Sequence, residues 1–98
     1  MSELYYLLRS RQDGSYLVAR PRPAAEAGQP AQEFLLMFRE HSDALSYLNT
    51  HGAGVVDRFA VETIAATRLD DLMQRWGFTG LGMVQDPLLP NVEFLLRQ

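Results

Sequence analysis

Residues 67–78, Thr-Arg-Leu-Asp-Asp-Leu-Met-Gln-Arg-Trp-Gly-Phe, constrain the fold of this chain more than any other stretch. Leu69, Leu72, Met73 and Trp76 recur at spacings of three and four, which gathers four large apolar groups on one stripe of a helix. So short a helix is not stable alone in water, so its stripe must be covered by other parts of the chain. Thr67 and Asp70 have the spacing of a capping box at the helix start. Gly77 suits the left-handed conformation that closes a helix, and Phe78 behind it is placed to fold back onto Met73. The stripe is expected to lie flat on a sheet and seal it, leaving no room beneath for reactive groups.

The rest of the chain supplies that sheet. Residues 5–9 and 16–20 are rich in aromatic and branched side chains, and Asp13-Gly14 between them is a strong hairpin signal. In the second arm Tyr16 and Val18 alternate with Leu17 and Ala19, so both faces are apolar and the pattern alone does not choose a register. Pro21 and Pro23 end that arm, and residues 21–32 read as a Pro- and Ala-rich surface loop. Residues 33–39, Glu-Phe-Leu-Leu-Met-Phe-Arg, fit a central strand covered on both faces. Ser42 is placed to cap a helix in which Asp43 complements the positive pole and Ala44, Leu45 and Leu48 share a side, ending near Gly52.

Residues 55–64 carry Val55, Phe59 and Val61 at even spacing, as in a strand with one wet face, although residues 60–66 are also compatible with a helix start. Residues 81–84 read as a short strand before the Asp86-Pro87 turn, and residues 92–96 as a closing strand. The expected fold is a single small α+β domain spanning residues 1–98. Its two helices pack on a mixed, largely antiparallel sheet of about five or six strands in the order β-β-β-α-β-α-β-β.

Composition removes whole classes of chemistry. There is no cysteine, and all nine basic residues are arginine. Thiolate nucleophiles, disulfides, cysteine-ligated zinc and iron-sulfur clusters are excluded, as are Schiff-base lysines and a P-loop lysine. The two histidines, His41 and His51, flank one expected helix and stand roughly 12 to 15 Å apart at 1.5 Å per residue, too far to share an ion. His41 reads as a loop flank and His51 as a helix-end cation. Asp70 and Asp71 point about 100° apart on a helix, which suits capping better than paired acid/base work. Gly80-Leu81-Gly82 has the form of a phosphate-binding glycine pair but opens no helix, and no serine stands in a nucleophile elbow. No cofactor and no metal site is expected.

The net charge of −3 opposes general binding to nucleic acid. Its distribution is uneven: the first 22 residues hold four arginines against Glu3 and Asp13, whereas the remainder is acidic. Arg9, Arg11, Arg20 and Arg22 are therefore the candidate interaction residues, with guanidinium forks suited to carboxylates or phosphates. No run approaches the roughly eighteen apolar residues of a spanning helix, and the first eight residues lack a secretory leader. A cytoplasmic protein with no membrane partner is expected.

From Glu33 onward the chain resembles the amino-terminal domain of the SseB family of small bacterial proteins. The residues that carry the resemblance are Phe34-Leu35-Leu36-Met37-Phe38, then Ser42 to Leu48, Leu69 to Trp76, Gly77 to Gly82, and Asp86-Pro87 before a final strand. The resemblance covers residues 33–98; the hairpin around Asp13-Gly14 and the Pro-rich loop have no counterpart in it. It implies an α+β domain with no assigned enzymatic activity. Residues and resemblance together lead to the expectation of a non-enzymatic protein-protein interaction or regulatory domain, self-associating through a sheet edge or through the basic hairpin against an acidic surface. The alternative is a small-ligand or anion sensor using Arg20, Arg22 or the Gly80 turn. An enzyme built on His41 and Asp43 is the least favoured of the three.

Overall fold

Seven residues, Leu4–Ser10, the first five of them aromatic or aliphatic, form the first strand, β1, which pairs antiparallel along its full length with β4, Phe59–Ala65. The computed structural model describes residues 3–20, 32–52, 54–89 and 91–96. Between these strands come β2, Val18–Ala19, then β3, Phe34–Met37, and helix α1, His41–His51. After β4 come helix α2, Leu69–Trp76, and strands β5, Gly80–Asp86, and β6, Asn91–Leu96. The element order and the α+β class are those expected from the sequence.

The strands divide into two hydrogen-bonded sheets. One is β1-β4, and the other is β2-β3-β5-β6, with β3 parallel to β5 and the other pairs antiparallel. Tyr6 and Phe38 exchange both backbone hydrogen bonds at 2.9 Å and so tie the end of β3 to β1. The β1–β4 register and this tie explain why residues 60–65 are strand and not the start of a helix: each has a partner on β1.

One helix covers each face. Leu35, Met37 and Met83 cluster with Leu7, Phe78 and the α2 residues Leu69 and Met73, whereas Leu36, Phe38 and Val84 cluster with Leu8 and the α1 residues Ala44 and Leu48. The alternation along β3 therefore feeds two cores, and all four of its side chains are buried. Each such side chain contributes roughly 1.5 to 3 kcal/mol of transfer free energy. No polar side chain is buried among the described residues.

Several local expectations shift because tertiary anchors set the ends of elements. The Asp13-Gly14 reversal is present, held by Ser10 N–H to Ser15 O at 2.7 Å, but its second arm follows β1 only as far as the Arg9–Tyr16 bridge and the bond from Leu17 N–H to Leu8 O at 2.9 Å. It then leaves to pair Val18 and Ala19 with Leu35 and Phe34. Helix α1 begins at His41 with Glu40 in the capping position, two residues before the Ser42 cap expected from the sequence, because β3 is pinned at Phe38. Residues 56–58 form a short 3-10 turn ahead of β4, so the strand begins at Phe59 and not at Val55. A second 3-10 turn, Ala66–Arg68, is tethered by Ala66 N–H to Glu3 O at 2.9 Å. Arg68, not Thr67, thereby becomes the residue that precedes α2, and the capping box does not set the helix start.

The end of α2 follows the sequence closely. Gly77 has φ of 72°, and the amides of Gly77 and Phe78 both donate to Met73 O, at 2.8 and 3.1 Å. Any other residue would be strained there, and the fold-back buries Phe78 beside Met73. The stripe, however, is only partly a seal. Leu69 and Met73 are buried and Leu72 partly so, but Trp76 is 41% exposed and lies at the margin, against Tyr16 and Phe78. The expected burial of Trp76 is thus corrected, and a polar-lined groove opens where the stripe stops short of β4.

Candidate interaction site

The basic hairpin is tied into its own domain. Arg9 Nε donates to Gly14 O at 2.8 Å, its NH1 reaches Glu62 Oε1 at 3.1 Å, and its guanidinium lies 5.0 Å from the Tyr16 ring centre. Tyr16 donates its hydroxyl to the other oxygen of Glu62 and meets Trp76 edge-on at 5.2 Å. Partial burial, reinforced by the Glu62 carboxylate, pushes the Tyr16 phenol up to about 12. Arg11 donates to Phe59 O at 3.3 Å, and Arg20 pairs with Glu33 at 2.8 Å on the surface. Arg22 lies outside the described residues, as does nearly all of the expected surface loop at 21–32. Three of the four candidate arginines therefore hold the turn, β4 or the start of β3.

Beside this cluster runs a groove of about 670 Å³ between β4 and α2, lined by Tyr16, residues 62–65, Arg68, Asp71, Leu72 and Arg75. Because Glu62 is bonded to Arg9 and Tyr16, the charge left facing the groove comes from Arg68 and Arg75, with Asp71 between them. On the opposite face a second groove, about 590 Å³, lies between β4 and α1 and includes Arg11, His41 and Asp57. Both flanks of the β4 edge are thus lined with charge.

The two histidines do not meet. His41 opens α1 with its ring 5.8 Å from Tyr6, and His51 ends it with Nε2 2.9 Å from Pro87 O and its ring against Tyr47. Among the described residues, no group of three or more histidines and carboxylates is arranged to hold a metal ion. Gly80-Leu81-Gly82 belongs to β5, and a Cβ built on Gly80 would lie 2.1 Å from Leu95 O. That glycine admits the close approach of β6, so the phosphate-loop and Gly80-turn readings are set aside.

The surface that residue chemistry did not single out is β6. This strand pairs only with β5 among the described strands. Phe94, Leu95 and Leu96 are 42%, 43% and 70% exposed, and Leu88 and Leu89 in the preceding turn are exposed as well. Val92 packs with the α1 core, whereas Leu95 lies opposite Leu81, which packs with the α2 core. Alternation then puts apolar groups on both faces of an open edge. The available signal was a run apolar at odd and even positions alike, which also describes a buried central strand.

No helix among the described residues is long and apolar enough to cross a membrane. Compared with known proteins, the chain matches no family model, no curated protein and no solved structure.

Proposed function

We propose that this protein is a non-enzymatic protein-protein interaction domain that works through its carboxyl-terminal sheet edge. The observation that carries the proposal is β6, a strand paired only with β5 among the described residues and with apolar side chains exposed on both faces. Edges of this kind are ordinarily blunted by charge, proline or a covering element, because unpaired backbone groups recruit another strand. The non-enzymatic part rests on the separation of His41 from His51 and on the mutual satisfaction of Arg9, Tyr16 and Glu62. A cytoplasmic setting and protein partners are proposed with it, the net charge of −3 arguing against nucleic acid; the SseB-like resemblance adds a bacterial setting and no mechanism. Light scattering across protein concentration and ionic strength, with pull-down from a lysate, tests the proposal. Association or a recovered partner is expected, and a strict monomer with no partner under every condition overturns it.

A second reading has its own observation. The groove beside Arg68 and Arg75 has the charge and size for a small anion or carboxylate metabolite. Thermal-shift screening separates the two, since a ligand at 100 times its Kd adds roughly 2.7 kcal/mol to the folded state. Inorganic phosphate, citrate and nucleotides without effect would remove the sensor reading.

A further inference from the structure

We infer that a second interaction surface lies at the outer edge of β4, where an extended peptide of alternating acidic and apolar residues adds as an antiparallel strand. This surface is separate from β6 and gives Arg68 and Arg75 a partner. The backbone bonds of β1 show which way β4 faces. Ser10 N–H donates to Ser15 O at 2.7 Å, Leu8 O accepts from Leu17 N–H at 2.9 Å, and Tyr6 exchanges both bonds with Phe38. These β1 residues turn their backbone groups away from β4, so each forms a non-hydrogen-bonded pair with its partner there. Those partners, Phe59, Val61 and Thr63, therefore turn their own N–H and C=O groups outward. The bonds from Arg11 N–H to Arg58 O at 2.7 Å and from Ala66 N–H to Glu3 O at 2.9 Å fix the same parity from the two ends.

Arg11 Nε donates to Phe59 O at 3.3 Å and closes one end of the edge. Beyond it, the outward backbone groups of Val61 and Thr63 have no partner among the described residues. No residue of β4 is buried. The strand has no proline, it pairs with β1 in continuous register, and its one charged residue, Glu62, is engaged by Arg9 and Tyr16. It thus lacks the usual devices that block an edge. Side chains of an added strand alternate between its two faces. Those opposite Glu62 and Ile64 enter the groove of about 670 Å³ between β4 and α2, and those opposite Val61 and Thr63 enter the groove of about 590 Å³ beside α1.

The two grooves differ in chemistry. Arg68 and Arg75 line the first, both exposed and with no ion pair or hydrogen bond among the described residues. Asp71 offsets one of them, and because Arg9 balances Glu62 a net positive charge remains. The two arginines stand about 10 Å apart along the helix at 1.5 Å per residue. Carboxylates at alternate positions of an extended strand are about 7 Å apart, within reach of both guanidinium forks. In the second groove Asp57 offsets Arg11, and Leu45, Val56 and Val61 offer apolar surface to small apolar side chains. A small anion would use the arginines and leave Val61 and Thr63 unpaired, whereas a strand uses both.

Fluorescence anisotropy of a labelled octapeptide alternating glutamate and valine, at low and at physiological salt, tests this. A Kd on the order of tens of micromolar is expected, rising with salt. Replacing the peptide's glutamates with glutamine should weaken binding roughly tenfold, and Arg68→Gln and Arg75→Gln should each raise the Kd roughly three- to tenfold with the circular dichroism unchanged. In antiparallel pairing the valines opposite Val61 and Thr63 turn their amides toward β4, so N-methylating the valine amides should abolish binding and N-methylating the glutamate amides should not. The reverse pattern, or equal binding of the two, refutes the antiparallel strand. Displacement by citrate or inorganic phosphate, with neither methylation having an effect, assigns the arginines to a small anion and refutes the strand as well. Binding that neither arginine variant weakens refutes the β4 site and moves the peptide to β6. Absence of binding at millimolar peptide refutes the inference and leaves the β6 reading standing.

Discussion

Replacing Gly80 with alanine is expected to destabilise this protein far more than replacing Gly82, although both glycines sit in β5 two residues apart. A Cβ on Gly80 would lie 2.1 Å from Leu95 O and 3.0 Å from Leu96 Cα, both backbone atoms of β6. A Cβ on Gly82 meets only side chains, Leu36 Cδ2 at 3.2 Å and Val92 Cγ1 at 3.3 Å, which can yield by a few tenths of an ångström. Relief at Gly80 requires the backbones of β5 and β6 to separate by about an ångström, against a normal strand spacing of about 4.8 Å. Overpacking of that kind costs about 3 kcal/mol, and the backbone-entropy advantage of alanine over glycine returns up to about 1, for a net loss near 2 kcal/mol. In a domain of this size that lowers Tm by roughly 8 to 16 °C. Gly82→Ala should stay within about 1 kcal/mol of the parent, its crowding offset by the same entropy term. Thermal melts and urea unfolding followed by circular dichroism measure both. Equal stability of the two variants would refute the close approach of β6 to Gly80.

Met73→Ala should cost about 2 to 5 kcal/mol in urea unfolding, because the side chain is buried among Leu7, Leu35 and Phe78. Trp76→Ala removes more atoms yet should cost less, under about 2 kcal/mol, since much of that ring already faces water; the reverse order would show that the stripe packs differently. The Tyr16 phenol, held up to about 12 in the fold, keeps its proton between pH 10 and 12 while the unfolded chain loses it. The folded state then binds more protons than the unfolded state, so this contribution is intact below pH 10 and disappears as pH rises through 12. Tyr16→Phe should flatten that part of the stability profile, and an unchanged slope refutes the assignment. Arg20→Ala should alter stability by no more than about 0.5 kcal/mol, because its ion pair with Glu33 is exposed.

The stop at Gly77, the reversal at Asp13-Gly14 and the order of strands and helices were legible in the sequence because each depends on residues within a few positions. A glycine that permits positive φ, or a period of 3.6 against 2, acts locally. The starts of α1 and α2 were not legible, since the bridge at Phe38 and the tether from Ala66 to Glu3 set them from elsewhere in the chain. The candidate arginines were visible as charge, but their partners Glu62, Phe59 and Glu33 lie 48 to 53 residues away for Arg9 and Arg11, and 13 for Arg20.

One tripeptide shows where local information ends. Phe-Leu-Leu occurs at residues 34–36 and again at 94–96. Composition and alternation assign both copies to strands, and both are strands. The first copy is buried on both faces, whereas the second is exposed on both, and the rings of Phe34 and Phe94 even touch, 5.0 Å apart. Identical side chains carry the same intrinsic preference for leaving water, so sequence determined that these segments extend and pair. Burial was decided by topology alone: β3 has β2 and β5 at its sides and a helix over each face, while β6 comes last in its sheet, with β5 as its one partner among the described strands.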